Sequence, residues 1–265
     1  MQKLKPFKNL PPDVVRGLEY VLFDIDDTIT TGGRLPADSF VALWNLHYAG
    51  LKLIPVTGRP AGWCDMIIRQ WPVDAVIGEN GAFCFYQKTG TYGVLTHPNA
   101  RKGSKEALDA VKKACLDAVP DARVAKDQFA RMYDLSIDFC EDEPQLDLEV
   151  AYKIRDICKS FGAKAKVSSI HVNTWFGDYD KLSMAERMFA EIFDDTDYNN
   201  KSIFFGDSPN DEPMFGFFKN SCAVANIMPF LDKLEQMPAY VADNESAAGF
   251  CEIVNLILAI KEDSK

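Results

Sequence analysis

The sequence predicts an α/β protein with a Rossmann-like parallel sheet core, helices on both faces of that sheet, and an inserted α/β unit. Short apolar runs alternate with helical patterns, and several of these runs end in polar or glycine-containing turns. Strands that are apolar throughout are typical of parallel sheets covered on both faces. The middle of the chain instead alternates polar and apolar residues, which indicates a second unit.

The sheet strands are predicted, in chain order, at YVLFD, LKLIPVTGR, AVIGENG, SIFFGDSPND and CAVAN. Helical patterns fall between some of them, as in ADSFVALWNLHYAG and AGWCDMIIRQW. In such folds ligands bind at the carboxyl ends of the strands. The polar turns that follow the strands are therefore expected to form one site.

The inserted unit is predicted from residue 86 to residue 176, between two parts of a core formed by residues 1–85 and 177–265. MYDLSIDF alternates strictly and KVSSIHVNTWF more loosely, which is typical of half-exposed antiparallel strands. KEALDAVKKACLDAV and LEVAYKIRDICKSF are predicted amphipathic helices. Their apolar stripes are Leu108, Val111, Cys115 and Ala118 in the first helix and Val150, Ile154, Ile157 and Phe161 in the second.

Composition excludes several classes of protein. The 265 residues suit one large domain or two modest ones, and a hydrophobic content of 47% provides a full core. The net charge of 29 − 39 = −10 argues against a nucleic-acid or anionic-membrane surface. No apolar run approaches the roughly 20 residues of a membrane span, and the N-terminus lacks a signal-peptide pattern. Seven cysteines without C-x-x-C spacing indicate reduced core thiols, so we expect a soluble, cytoplasmic protein.

Acidic residues follow two of the predicted strands. Asp24 and Asp26 follow the first strand, and Asp207 and Asp211 follow SIFF, together with the polar Asn210. Such clustered carboxylates repel one another and resist desolvation unless a cation compensates them. Carboxylate and carbonyl oxygens favour Mg²⁺, so the sequence predicts Mg²⁺ as a cofactor.

Two further groups complete an inventory that suits phosphoryl transfer. Thr57 follows the second strand, and Lys181 opens a helix, with Lys164, Lys166 and Lys201 as alternatives to it. A carboxylate can attack phosphorus, a second carboxylate can move protons, and a hydroxyl and an ammonium can bind the transferring oxygens.

The motifs DIDDT, VTGR, a lysine that opens a helix, and GDSPND resemble the four motifs of the haloacid dehalogenase-like (HAD) superfamily phosphatases. IGENGA and AAGFCEIVNLIL resemble the sugar-phosphatase branch, which includes trehalose-phosphate, sucrose-phosphate and mannosylphosphoglycerate phosphatases and bacterial sugar phosphatases. The resemblance covers residues of about 19–85 and 177–258. It implies a phosphatase acting on a small phosphorylated metabolite, with the inserted unit as a cap.

The resemblance also implies roles for single residues. Asp24 is the expected nucleophile and Asp26 the general acid/base. Thr57, Gly58 and Lys181 are the expected phosphate-binding residues. The expected metal ligands are Asp24, the backbone carbonyl of Asp26, Asp207 and Asp211. Asp211 could alternatively position Lys181. Two positions depart from the pattern, since Asp27 and Leu182 stand where glycine is frequent.

Three more residues are candidates for substrate contacts. Arg59 follows the VTG turn, while Asn173 and Trp175 share one side of a predicted strand with His171. A surface role for Arg59 and a plain cross-strand cluster for the other two are the alternatives.

The leading function is a Mg²⁺-dependent phosphatase that hydrolyses a sugar or polyol phosphate through an aspartyl-phosphate. A phosphosugar mutase on the same scaffold, a receiver-like phospho-aspartate signalling module and a non-catalytic sugar-phosphate binder are the alternatives. The sequence leaves the substrate and the oligomeric state open.

Overall fold

The computed structural model describes residues 4–88, 90–100 and 105–263. The strands in these ranges are β1 (Lys5–Pro6), β2 (Tyr20–Phe23), β3 (Lys52–Pro55), β4 (Ala75–Gly78), β5 (Phe83–Lys88), β6 (Thr91–Thr96), β7 (Arg123–Val124), β8 (Asp134–Asp138), β9 (Lys164–Val167), β10 (His171–Trp175), β11 (Ser202–Gly206), β12 (Ser221–Ala223) and β13 (Tyr240–Val241). The α-helices are α1 (Pro12–Arg16), α2 (Ala37–Tyr48), α3 (Ala61–Gln70), α4 (Lys105–Ala118), α5 (Leu148–Ser160), α6 (Lys181–Met188), α7 (Tyr198–Lys201), α8 (Glu212–Phe217) and α9 (Ser246–Glu262). None of these helices is both long and apolar enough to span a membrane.

The largest sheet has six strands in the order β1-β13-β12-β11-β2-β3, and every pairing in it is parallel. Successive residues of β2 enter different hydrophobic clusters, as alternation across a strand requires. Val21 and Phe23 pack with α2 and α9 on one face, whereas Tyr20 and Leu22 pack with α6 and α8 on the other. The predicted fold class, a parallel sheet covered on both faces, is confirmed.

β4 departs from the prediction that it belongs to the parallel sheet. It touches that sheet through one parallel bridge, Val56 to Ile77, and otherwise pairs with β5. Strands β4, β5 and β6 form an antiparallel sheet of their own. The boundary at residue 86 proposed from the sequence therefore falls inside β5.

The middle of the chain forms a four-stranded antiparallel sheet in the order β7-β8-β10-β9, covered on one face by α4 and α5. This four-stranded unit has its own hydrophobic cluster, which includes Val111, Ile137 and Ile154. Both helices were predicted correctly. Both predicted stripes are wrong at their ends, since Ala118 is exposed and Phe161 is 45% exposed, while Cys158 is buried instead.

The second face of the four-stranded sheet is also buried, which corrects the prediction of half-exposed strands. Asp134, Ser136 and Asp138 are each at most 3% exposed. They lie opposite Trp175, Asn173 and His171, respectively, on β10. Alternation identified the polar face correctly, but that face packs against the core rather than against water.

Two connecting segments join the four-stranded unit to the core, and they lie side by side. Asn99 Nδ2 donates to the carbonyl of Asp178 at 2.9 Å, and the rings of His97 and Tyr179 pack with centroids 5.6 Å apart. Gly177 has φ of +123°, and a Cβ there would collide with the Asn99 carbonyl. Both connections therefore occupy one corner of the molecule.

Candidate active site

The site lies at the carboxyl ends of three neighbouring parallel strands. Asp24 and Asp26 follow β2, Thr57 follows β3, and Asp207 follows β11. The sheet order places β2 between the other two strands. The structure thus brings the acidic and hydroxyl groups predicted from the strand ends to one edge of the sheet.

Lys181 reaches this edge from the first residue of α6. Asp180 caps the helix by accepting the Ser183 N–H at 2.8 Å, which fixes where the helix begins. The buried Lys181 Nζ lies 3.0 Å from Asp24 Oδ1 and 2.7 Å from Asp211 Oδ1. Although burial alone would lower the pKa of Lys181, Asp211 and Asp24 raise it, so the ammonium stays charged.

The alternatives to Lys181 lie elsewhere. Lys164 pairs with Asp178 at 2.6 Å, and Lys201 pairs with Asp195 at 3.0 Å. Lys166 lies on β9 of the four-stranded sheet.

Asp24, Asp207 and Asp211 form a buried cluster in which one carboxylate oxygen of each lies within 4.8 Å of the others. Burial raises the pKa of Asp24 to about 7, with Lys181 acting in the opposite direction. Burial, Asp211 and Asp24 raise the pKa of Asp207 well above its usual range. Such shifts mean that the carboxylates resist full ionisation without a compensating cation.

The cluster fits Mg²⁺. Three ionised carboxylates and one ammonium would carry a net charge of −2, which one divalent cation balances. All three donors are hard oxygens, and the cluster is compact enough for a small cation that keeps water and substrate oxygens as further ligands.

Hydrogen bonds orient the carboxylates. Thr28 Oγ1 donates to Asp207 Oδ1 at 3.2 Å, and Asn226 Nδ2 donates to Asp207 Oδ2 at 3.3 Å. Asp211 Oδ2 accepts the Asp207 backbone N–H at 3.1 Å. A Cβ at Gly206 would collide with the Asp211 carboxylate, which explains the glycine before Asp207. Asn226 was not predicted as a site residue, although it is the last residue of the run CAVAN.

Thr57 and Gly58 form a tight turn beside Asp24. Thr57 is buried, and its Oγ1 accepts the Arg59 N–H at 3.0 Å. A Cβ at Gly58 would lie 2.5 Å from Asn173 Nδ2 and 3.3 Å from the Asn80 side chain. The glycine therefore allows the four-stranded sheet to approach this turn closely.

Arg59 links Asp26 to the four-stranded unit. Its guanidinium binds both carboxylate oxygens of Asp26, pairs with Glu141 at 2.9 Å and Asp127 at 3.3 Å, and lies 4.3 Å from the Trp63 ring centre. Burial acts to lower the pKa of Arg59, but Asp26 and Glu141 raise it further than burial lowers it. The predicted surface alternative for Arg59 is wrong, since the residue is 2% exposed.

Asn173 and Trp175 occupy different surroundings. Asn173 lies over Gly58, and its Oδ1 accepts the Ser136 hydroxyl at 2.8 Å. Trp175 is 1% exposed within the core, where its indole N–H donates to the Tyr179 carbonyl at 3.3 Å and its ring stacks on Tyr179. Trp175 is thus held by packing, while Asn173 lies beside the turn formed by Thr57 and Gly58.

Glu79 was not predicted as a site residue, yet it clamps the four-stranded unit to the core. Its buried carboxylate accepts backbone N–H groups from Ala61 of the core and from Met132, Tyr133 and Asp134 of the unit, at 2.6–3.2 Å. Nearby, Arg131 Nη1 donates to the Gly58 carbonyl at 2.8 Å. These contacts close the unit over the site, so Asp24, Thr57, Lys181, Asp207 and Asp211 are each at most 3% exposed.

Comparison with known proteins agrees with the resemblance to haloacid dehalogenase-like proteins that the sequence motifs indicate. Residues 21–120 match the family model described as haloacid dehalogenase-like hydrolase. Among curated proteins, none matches the sequence significantly. A protein from Thermoplasma acidophilum has a similar structure, with a TM-score of 0.70, 17% identity, and coverage of 92% of this chain and 98% of that chain.

Two further solved structures carry the same fold. The trehalose-6-phosphate phosphatase C-terminal domain from C. albicans gives a TM-score of 0.70 at 12% identity, with 97% of this chain and 98% of that chain covered. A sugar phosphatase of HAD subclass IIB gives 0.62 at 15% identity, with 93% and 99% covered. The matched residues 21–120 include the motifs DIDDT and VTGR. The resemblance to haloacid dehalogenase-like hydrolases that these motifs predict is confirmed by the match, as is the prediction of an enzyme.

Proposed function

We propose that this protein is a Mg²⁺-dependent phosphatase that hydrolyses a small phosphomonoester, a sugar or polyol phosphate, through an aspartyl-phosphate. The observation that carries the proposal is the contact of Lys181 Nζ with both Asp24 and Asp211, beside Asp207. This arrangement places a nucleophilic carboxylate, a cation-binding cluster and a fixed ammonium together. The phosphatases among the structures of similar fold support the same activity.

In the first half of the reaction, an oxygen of Asp24 attacks phosphorus and the bond from phosphorus to the leaving oxygen breaks. Asp26 gives its proton to that leaving oxygen, which departs as an alcohol. Lys181, the Thr57 hydroxyl and the Gly58 N–H bind the oxygens of the transferring group. Bound Mg²⁺ would neutralise negative charge on these oxygens and on the carboxylates.

In the second half, Asp26 takes a proton from water, and the water oxygen attacks the phosphorus of the aspartyl-phosphate. The bond between phosphorus and the Asp24 oxygen then breaks, which releases inorganic phosphate and leaves Asp24 ionised and Asp26 protonated, as at the start. Asp26 is suited to this double role because Arg59 fixes its carboxylate from one side.

We propose that residues 86–176 act as a cap that excludes water and selects the substrate, on a catalytic core of residues 1–85 and 177–265. The near-complete burial of the catalytic groups supports this, because a substrate reaches them only when the four-stranded unit moves away. The polar face of that unit offers hydrogen bonds for sugar hydroxyls. We also propose a cytoplasmic location, which the seven free cysteines support.

The test is turnover of p-nitrophenyl phosphate with Mg²⁺ by the unsubstituted protein and by Asp24→Asn. The substitution keeps the shape of the side chain and removes the attacking charge, so kcat should fall by at least about 10³-fold. The exposed Asp65→Asn is the matched control. Near-normal turnover by Asp24→Asn would refute Asp24 as the nucleophile. If the unsubstituted protein formed a stable phosphoprotein without turnover, a receiver-like module would be supported instead.

A further inference from the structure

A cleft of about 890 Å³ lies beside the proposed phosphoryl site, between the four-stranded unit and the core. Residues of α5 and β9 line one side, and Pro209 and Glu212 of the core line the other. Asp180, which also lines the cleft, immediately precedes Lys181, and Pro209 begins the short turn that ends at Asp211. The cleft is therefore adjacent in the chain to two residues of the site on different elements.

The cleft is basic although the chain carries a net charge of −10. Five of its lining residues are cationic, namely Arg155, Lys159, Lys164, Lys166 and Lys233. Arg155 pairs with Asp156 and Lys164 with Asp178. The other three form no ion pair within the part of the chain that the structure describes.

Two of the three acidic lining residues are already engaged by other groups. Asp180 accepts the Ser183 N–H as the cap of α6. Glu212 Oε1 accepts the backbone N–H groups of Glu235 and Gln236. Glu235 is the third acidic lining residue, so the five cationic side chains of the lining outnumber its three carboxylates.

Lys166 and the Tyr152 hydroxyl are polar groups of the cleft that form no hydrogen bond or ion pair with the residues that the structure describes. Lys166 lies opposite Asn173 in the sheet, on the face turned toward the core, and β9 contacts the Pro209–Asp211 turn. Burial lowers the pKa of Lys166, and the nearby carboxylates of Glu212 and Asp180 only partly oppose this effect. The buried Tyr152 hydroxyl has no hydrogen-bond partner, and Lys233 Nζ lies 4.3 Å from the centre of the Tyr152 ring.

We infer that this cleft binds a second acidic group of the substrate, so that the preferred substrates are sugar or polyol phosphates that also carry a carboxylate or a second phosphate. The inference rests on the proposed function, because it assumes that the first phosphoryl group lies against Lys181. An acidic group in the cleft would meet the ammonium groups of Lys166, Lys159 and Lys233 and could accept a hydrogen bond from the Tyr152 hydroxyl. A neutral sugar phosphate would leave these groups without partners.

The test uses two esters that differ in one group, 6-phosphogluconate and glucitol 6-phosphate. We expect kcat/KM to be at least about tenfold higher for 6-phosphogluconate, the effect of one charge-assisted contact or more. Lys166→Gln and Lys233→Gln should each reduce this ratio, and together they should bring it close to one. Lys113→Gln, an exposed lysine of α4 outside the cleft, should keep the ratio of the unsubstituted protein.

Calorimetric binding of both esters to Asp24→Asn separates this inference from the proposed function. If both esters are hydrolysed at equal kcat/KM, the inference fails and the proposed phosphatase stands. If neither is hydrolysed but 6-phosphogluconate binds more tightly, in a manner weakened by Lys166→Gln, the anion cleft stands and the phosphatase does not. If inorganic sulfate binds as tightly as 6-phosphogluconate and Lys166→Gln weakens both equally, the cleft takes a free anion and the inference is overturned.

Discussion

Arg59 holds Asp26 through both carboxylate oxygens, with Nε 2.8 Å from Oδ2 and Nη2 2.8 Å from Oδ1. The same guanidinium contacts Glu141 and Asp127 of the four-stranded unit. Arg59 therefore couples the orientation of the proposed acid/base group to closure of that unit, which Glu79 and Arg131 also hold against the core.

Arg59→Lys should lower kcat/KM for sugar phosphates by at least about tenfold, because an ammonium cannot reproduce the two-oxygen contact with Asp26. Steady-state kinetics would measure the effect. Arg69→Lys is the matched control, since Arg69 forms an exposed pair with Asp65 on α3. Equal kinetics for the two variants would contradict a positioning role for Arg59.

A disulfide between the core and the four-stranded unit should block activity reversibly. A Cβ at Gly62 would lie 2.9 Å from the Ala130 Cβ, and disulfides span about 3.5–4.5 Å between Cβ atoms, so a small outward shift suffices. Oxidised Gly62→Cys/Ala130→Cys should lose nearly all turnover, because the closed unit covers the catalytic groups. Reductant should restore turnover.

The two single-cysteine variants, assayed before and after reduction, serve as controls for this disulfide. Full activity of the cross-linked protein, with the bond verified by mass spectrometry, would show that substrate enters without movement of the unit.

Removal of divalent metal should abolish phosphatase activity. Chelation with EDTA should stop turnover, Mg²⁺ should restore it, and Ca²⁺ should substitute poorly because Ca²⁺ prefers more ligands at longer distances. Asp207→Asn should raise the Mg²⁺ concentration for half-maximal activity by at least about tenfold. Turnover that persists after exhaustive chelation would exclude the metal from the reaction.

Low pH should weaken the contacts of the Glu141 carboxylate with Arg59 and His171. The hydrogen bond with His171, together with the charge of Arg59, lowers the pKa of Glu141 to about 2 from its ordinary 4.5, although partial burial acts in the opposite direction. Because the pKa is lower in the folded state, the ionised carboxylate stabilises the fold above pH 4.5, and this contribution is lost as the pH falls toward 2.

The difference in Tm between the unsubstituted protein and Glu141→Gln should therefore be larger at about pH 6 than at about pH 3. Glu149→Gln, at an exposed position of α5, should show no such change between the two pH values. A Glu141→Gln difference that stays constant over this range would contradict the assigned ion pair.

The strand-end residues could be predicted from the sequence because local rules determine their position. A buried parallel strand precedes Asp24 and another precedes Asp207. The two carboxylates therefore lie at the same edge of the parallel sheet, independently of how the four-stranded unit docks. Glu79 and Glu141 could not be predicted in this way. Their partners are far away in the chain and depend on how the four-stranded unit docks.

The same limit explains the error on β8. Alternation showed that Asp134, Ser136 and Asp138 share a face, but it cannot distinguish a face covered by water from one covered by polar groups of a second unit. Here Arg131 pairs with Asp134, Arg123 with Asp138, and Asn173 with Ser136, so the polar residues are buried with partners.

The separate hydrophobic cluster of the four-stranded unit has an evolutionary consequence. Its apolar residues, such as Val111, Ile137 and Ile154, lie on the opposite side of the sheet from Ser136 and Asn173. Selection can thus exchange residues on the side that faces the core without changing the packing that keeps the unit folded, and without altering Asp24 or Lys181. If the polar face contacts the substrate as we propose, substrate preference can change by substitutions on that face alone.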